Sequence, residues 1–253
     1  IPNMIAYRDD LIRIRDVHEL STEFIMTLYL TRGLTPQIVE EMAKLDFPCA
    51  VKYYPPKPGT TTGSGFGIPL EEAHEVLVAM EQCGVRLLGH FESEEDDDGK
   101  PLPHEHREDH FAIHRFPGLR NKYHKLRITV EHATTANAIR CVKEDGSGLT
   151  TRTITPQALI LVREDLDSLT WRNHGRCMPI AKTKRDRDAV REFAFSGDFR
   201  GYAGDDTAAH PSKSKNVPFA EATSGCYWPH SAAAYVDIFY KHGALQNLPK
   251  FAA

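Results

Sequence analysis

The sequence predicts an α/β protein built as a parallel barrel, and three observations lead there. Short β-prone runs alternate with helix-patterned segments, the signature of βαβ units and a parallel sheet. Six or seven such units fit in 253 residues, which suits a barrel better than an open doubly wound sheet. Four separate runs each close on a polar residue: Lys52, His90, His132 and Asp206. A parallel barrel gathers the carboxyl ends of its strands at one rim. Residues far apart in sequence would then converge on one cleft.

Taken in order, Glu23 to Leu30 reads as a buried strand. Thr35-Pro36 supplies an N-cap and a first-turn proline ahead of a helix from Ile38 to Leu45. The strand Ala50 to Tyr53 runs into a Gly/Pro/Thr-rich loop, Pro55 to Gly67. Pro69 opens a helix with Leu70, Ala73, Val76, Leu77 and Met80 spaced by three and four, stopped by Gly84. A strand ends at His90, followed by a long polar stretch and a helix from His106 to Leu119. The strand Leu126 to His132 precedes a capped helix, Thr134 to Glu144. Thr150 to Thr155 is strand-like, and Arg176 to Ile180 is a short apolar piece. A helix from Asp186 to Phe195, a strand from Phe199 to Asp206 and a helix from Ser231 to Tyr240 complete the pattern. Neither an internal repeat nor a linker divides the chain, so residues 1–253 read as one domain.

Composition narrows the class. The chain is 41% hydrophobic and 26% charged, with a net charge of -4. That describes an ordinary globule with no nucleic-acid face. The acidic run Glu92 to Asp98 reads as a solvated loop. The cluster Lys182, Lys184, Arg185 and Arg187 reads as the exposed start of a helix. Five scattered cysteines without a CxxC pair favour a reducing compartment. No apolar run approaches the roughly 20 residues of a membrane span, and no signal peptide is present. The expected location is the cytoplasm. Gly63-Ser64-Gly65-Phe66-Gly67 has the wrong spacing for a dinucleotide turn. The chain opens at Ile1 and closes within a helix-like phrase, so it reads as a piece of a longer protein.

Histidine nitrogen and carboxylate oxygen suit zinc. A lysine among such ligands makes sense once its neutral amine has captured carbon dioxide, because the carbamate is an anionic two-oxygen bridge. Two metals roughly 4 Å apart activate a water and polarise the carbonyl it attacks. An aspartate then carries the proton to the leaving nitrogen. Taken singly, a strand-end lysine or histidine is usually structural; the joint occurrence in this order is what points to a site.

These phrases resemble dihydroorotase of the amidohydrolase superfamily, in its monofunctional, fungal-like form. Val51-Lys52-Tyr53-Tyr54-Pro55 followed by Thr60-Thr61-Thr62 is similar to the family's carboxylated-lysine strand and mobile loop. Leu87-Leu88-Gly89-His90-Phe91-Glu92 resembles its first histidine strand, with Phe91 where a small residue is usual. Val130-Glu131-His132-Ala133-Thr134-Thr135 resembles the second. Thr153-Ile154-Thr155-Pro156-Gln157 resembles the next strand, with Ala158 where a histidine is common. Gly204-Asp205-Asp206-Thr207-Ala208-Ala209-His210 resembles the catalytic-aspartate segment, with Asp205 and Ala209 as departures.

The resemblance covers essentially the whole chain. It implies a TIM-type (β/α)8 barrel, incomplete at both ends, and two zinc ions per subunit. It implies reversible conversion of N-carbamoyl-L-aspartate to L-dihydroorotate in pyrimidine biosynthesis, and often a homodimer. By position, Lys52 is the carbamate bridge, His90 and His132 hold one metal, and Asp206 ligates the other and is the acid/base. Asn3 and His210 would bind the substrate carboxylate, Met178 would contact the ring through its backbone, and Ser224 would lie near it. Thr60 and Thr61 would close over the substrate.

The family's His-x-His-x-Arg segment would precede Asn3 and is not in this chain. His104-Glu105-His106 has the spacing but sits in a charged loop. The expectation is therefore at most one metal and very weak activity for this polypeptide. Two other readings remain: a dihydropyrimidinase- or hydantoinase-like enzyme, disfavoured by the threonine loop and Asn3, and an inactive truncated relative with a structural role.

Overall fold

A computed structural model of the chain describes residues 1–57, 65–168 and 173–252. Its framework is one parallel sheet of six strands: β1 (Met26–Tyr29), β2 (Cys49–Tyr53), β3 (Arg86–Gly89), β4 (Ile128–Val130), β5 (Thr150–Ile154) and β6 (Gly201–Ala203). They lie side by side in chain order, each paired in parallel with the next. A doubly wound sheet reverses its strand order at a switch point. Unbroken sequential order is instead the winding of a barrel. Eight strands make a complete barrel; six lie among the described residues.

Helices fill the connections: α1 (Pro2–Val17), α2 (Pro36–Met42), α3 (His74–Cys83), α4 (His104–His110), α5 (Phe116–Lys122), α6 (Ala136–Glu144), α7 (Pro156–Ile160), α8 (Arg163–Ser168), α9 (Lys184–Phe195), α10 (Ser212–Lys215), α11 (Ser231–Lys241) and α12 (Leu248–Phe251). Threonines start three of them. Thr35, Thr135 and Thr183 accept the amides of Ile38, Ala138 and Asp186 at 3.4, 3.1 and 3.3 Å. Each satisfies one of the amides a helix start leaves unpaired. Gly84 ends α3 at φ +70°, the left-handed region that glycine occupies without a Cβ penalty.

Several elements depart from expectation. The helix expected from Pro69 begins at His74, after a turn over residues 70–73. The helix expected over His106 to Leu119 splits into α4, a π-helical segment (Phe111–Arg115) and α5. Pro117 has no N–H to continue the i→i−4 ladder, and the wider π turn absorbs the break. Helices α1, α7, α8 and α10 were not anticipated; each is short or carries its apolar residues in weak periodicity.

Register sorts the side chains by face. Lys52 pairs with Leu88, Leu88 with Thr129, and Thr129 with Thr151. On this face Arg86 Nη1 donates to Thr129 Oγ1 at 3.3 Å and Thr151 Oγ1 at 3.0 Å. The opposite face carries Val51, Leu87, Ile128 and Ile154, all fully buried under the helices. Burying such side chains contributes about 1.5–3 kcal/mol each.

One packing detail couples sheet to helix. A Cβ on Gly201 would meet the Phe193 ring at 2.3 Å, so the glycine admits the ring. The Arg152 guanidinium lies 3.8 Å over that ring and donates to the Ile139 carbonyl at 2.7 Å. Phe193→Ala empties this contact and uncovers a buried cation. We expect a loss of about 3–5 kcal/mol, read as a lower urea midpoint at unchanged slope.

Candidate metal centre at the strand ends

The strand ends on one side of the sheet bring Lys52, His90, His132 and Asp206 together. His90 follows β3 and is 1% exposed; His132 lies two residues past β4 and is 5% exposed. His90 Nδ1 faces His132 Nε2 at 3.2 Å. Lys52 sits near the end of β2, with its ammonium 4.7 Å from the Tyr54 ring centroid and ion-paired to Glu131. Its charge acts on both imidazoles and on Asp206.

Glu92 decides the chemistry of the pair, and the acidic-run reading missed it. Glu92 and Ser93 are buried, at 2% and 8% exposure, rather than solvated. Glu92 Oε2 lies 2.7 Å from His90 Nε2. Burial raises the Glu92 pKa, and Lys182, His104 and Arg107 oppose that rise. As a carboxylate it accepts a hydrogen bond from Nε2–H and leaves a lone pair on His90 Nδ1. Lys182 is likewise not on an exposed helix start. It is buried, donates to the Ile180 carbonyl at 2.8 Å and stands 4.0 Å from Glu108.

Burial holds both imidazoles well below the ordinary histidine range, helped at His90 by Lys52, Lys182 and Arg107 and at His132 by the neighbouring His90 and then Lys52. They are neutral. The buried Nδ1 of His132 has no hydrogen-bond partner among the described residues. With His90 Nδ1 bearing a lone pair, His132 has two choices. It donates through Nε2 to His90, or it keeps its proton on Nδ1 and turns a second lone pair toward the first; Nδ1 lacks a partner in both. A cation between the rings resolves the second arrangement. Two nitrogens about 2.0–2.1 Å from a tetrahedral zinc lie roughly 3.3 Å apart, close to the 3.2 Å observed. The donor set fits a divalent metal of zinc character.

Two of the four residues stand on left-handed backbone. His132 and Asp206 both have φ +43°, uncommon outside glycine. Such corners persist where surroundings over-determine them. The His132 amide donates to Thr153 Oγ1 at 2.7 Å, and the Ala133 amide to the Thr153 carbonyl at 3.1 Å. The next residue is held as well: the Thr134 amide donates to Glu108 Oε1 at 2.9 Å and its hydroxyl to Oε2. Burial raises Glu108 to about 7, against Lys182 and the Thr134 donors.

Asp206 lies three residues past β6. The residue is solvent-exposed, yet protein crowded around its carboxylate raises its pKa, opposed by Lys52 and by a 3.5 Å contact from Cys177 Sγ to Oδ2. Burial lowers Lys52 to about 8, with Asp206 opposing.

The remaining expected residues scatter. The Met178 amide donates to Ser224 Oγ at 2.9 Å, so these two meet. His210 lines a cavity of about 310 Å³ with His174, Lys215 and Cys226, and its buried Nε2 has no partner among the described residues. Asn3 is exposed in the first turn of α1. Thr60 and Thr61 lie outside the described residues. At the positions of departure, Phe91 is buried and stacks on Phe111 at 4.7 Å, and Asp205 accepts from Ser231 at 2.8 Å. Sequence reasoning passed over Glu92, Glu131, Tyr54 and Thr153. Only Glu92 left a signal, two residues past His90.

No family model matches the chain. Among curated proteins, it is 37% identical over 232 residues to a dihydroorotase of Halorhodospira halophila, covering 91% of this chain and 65% of that protein. It is 34% identical over 253 residues to a dihydroorotase of Marinobacter nauticus, covering 98% and 70%. The chain thus spans about 65% of the length of the first of these relatives. Among solved structures, it matches a Saccharomyces cerevisiae dihydroorotase in complex with 5-fluoroorotic acid, with TM-score 0.88 and 26% identity, over all of this chain and 70% of that one. A D-hydantoinase at 15% identity and TM-score 0.68, covering 94% of this chain and 57% of that one, shares the fold.

Thr153→Val keeps the volume but removes the acceptor for the His132 amide. Leaving a buried donor unsatisfied costs about 1–3 kcal/mol. We expect that loss in urea unfolding, together with a changed chemical shift of the His132 ring.

Proposed function

The chain belongs to the dihydroorotase family, and from that membership we propose that it takes part in reversible interconversion of N-carbamoyl-L-aspartate and L-dihydroorotate. The carrying observation is the pair of neutral imidazoles facing each other at 3.2 Å, with Glu92 fixing the proton on His90. In this reading His90, His132, Asp206 and Lys52, as its carbamate, hold zinc. The metal would supply Lewis acidity toward the ring carbonyl and lower the pKa of its water.

The chain's own groups do the rest. Carbamate formation requires a neutral amine, and burial that lowers Lys52 to about 8 makes one available near neutrality. In the hydrolytic direction water adds to the ring carbonyl carbon and the ring C–N bond breaks. The Asp206 carboxylate takes the proton from water and delivers it to the departing nitrogen. The raised Asp206 pKa suits a group that must both accept and return a proton. Ser224, by accepting the Met178 amide, fixes the backbone that would lie against the ring. His210, whose Nε2 has no partner among the described residues, would bind the substrate carboxylate, with Asn3 as its family partner.

A hydantoinase-like activity is the second reading, favoured only by shared fold. The deciding assay supplies the chain with zinc and bicarbonate and offers both L-dihydroorotate and dihydrouracil. Very weak turnover of dihydroorotate, and none of dihydrouracil, is expected. Turnover of dihydrouracil instead supports the second reading, and zinc binding with neither turnover supports a non-catalytic relative.

Glu92→Gln tests the metal reading separately. It retains the shape but removes the charge that orients His90. Losing such an outer partner weakens metal binding about 10–100-fold. Competition against a chelator should show that drop while the far-UV spectrum is unchanged.

A further inference from the structure

Away from the strand ends, a second set of metal-ligand types meets on the surface. Asp97, at the tip of the polar stretch after β3, faces His110 at the end of α4 and His114 in the π-helical segment. One donor atom from each lies within 4.8 Å of the others. His110 Nε2 stands 3.9 Å from Asp97 Oδ1, and His114 Nδ1 stands 3.7 Å from Oδ2. The two rings stack with centroids 4.5 Å apart. We propose that Asp97, His110 and His114 form a separate binding site for a divalent metal of the zinc class, joining the loop to the helix.

The distances support an ion rather than direct contact. Both imidazole–carboxylate separations are too long for hydrogen bonds. They exceed by about 0.3–0.6 Å the roughly 3.3–3.4 Å between ligand atoms of a tetrahedral zinc, and the three donors lie within 4.8 Å of one another, so small rotamer shifts would close them on an ion. Burial and the neighbouring His114 hold the His110 pKa below its ordinary value, against the pull of Asp97, so a lone pair is available there. The His110 side chain is only 11% exposed, while Asp97 and His114 are 60% and 47% exposed, giving the ion a route in.

The loop is built to present Asp97. The Asp96 carboxylate accepts the amides of Asp98 and Lys100 at 3.0 and 2.9 Å, and the Asp96 amide donates to the Lys100 carbonyl at 2.9 Å. This tight turn points Asp97 at the helix. Arg115 donates to Asp97 Oδ1 at 2.8 Å and so orients the carboxylate. Because the same stretch begins at Glu92, a metal here would brace the segment that carries the His90 partner. The site shares no side chain with the strand-end residues, so its failure would leave the proposed function untouched.

The test is zinc equilibrium dialysis of the full chain, of His114→Ala and of Asp97→Asn, with His106→Ala as a helix control. Circular dichroism verifies folding of each. The expected result is one more zinc per chain in the wild type and the His106→Ala control than in the two site variants. Thermal unfolding should rise with zinc in the wild type and rise less in His114→Ala, since a ligand that binds only the folded state stabilises it. Copper(II) paramagnetic resonance should report two imidazoles at the extra site. Equal zinc uptake by all four proteins, or loss in the His106→Ala control as well, overturns the proposal.

Discussion

The contact from His90 to Glu92 is the interaction on which the strand-end geometry depends. A neutral imidazole has one donor and one acceptor, and the partner of one nitrogen sets the character of the other. Glu92 Oε2 at 2.7 Å holds the proton on Nε2, so Nδ1 turns a lone pair toward His132. Without the carboxylate, the two rings could settle their contact with an ordinary hydrogen bond. With it, His90 Nδ1 is held as an acceptor, ready for a donor from His132 or for a cation between the rings. The Glu92 side chain stays in place because Lys182, His104 and Arg107 counter the cost of burying it.

The backbone carries a matching cost. His132 and Asp206 leave their strands through left-handed residues, each of which costs on the order of 1–3 kcal/mol where a side chain is present. Strand β5 supplies the restraint for both. Thr153 accepts the His132 amide, and its side chain would be struck at 2.6 Å by a Cβ on Gly204, two residues before Asp206. One threonine therefore sits between the two corners. Glu108 extends the support outward by tying Thr134 to α4. The fold and the site are not separable here: sheet register places Thr153, and Thr153 places the ligand corners.

Much of this was legible in the sequence because it rests on local signals. Thr35, Thr135 and Thr183 announced helix starts by their own chemistry, and Gly84 announced a stop. Lys52, His90, His132 and Asp206 were visible because β-prone runs end on them. The illegible part is non-local. Glu92 sits in a run of acids whose other members are half-buried or exposed, and only burial against His90 sets it apart. Lys182 looked like one of several helix-start cations until Glu108, far away in sequence, placed it in the interior. The division of the helix near Pro117 follows from proline chemistry, but the π turn that resolves it depends on packing of Phe111 and Phe116 around Phe91.

Charge balance at the strand ends gives the last step. The imidazoles are neutral, so the charged groups around Lys52 are its ammonium and the carboxylates of Glu131 and Asp206. One positive and two negative charges leave the cluster one negative charge in excess. Burial penalises every uncompensated charge, which is why Lys52 falls to about 8 and Asp206 rises. In the proposed reading, converting the ammonium to a carbamate turns one positive charge negative and leaves three negative charges together. Such a cluster is untenable in a partly desolvated cleft without divalent cations to neutralise it. Carbamate and metal would therefore each make the other favourable, and neither is expected to bind well alone.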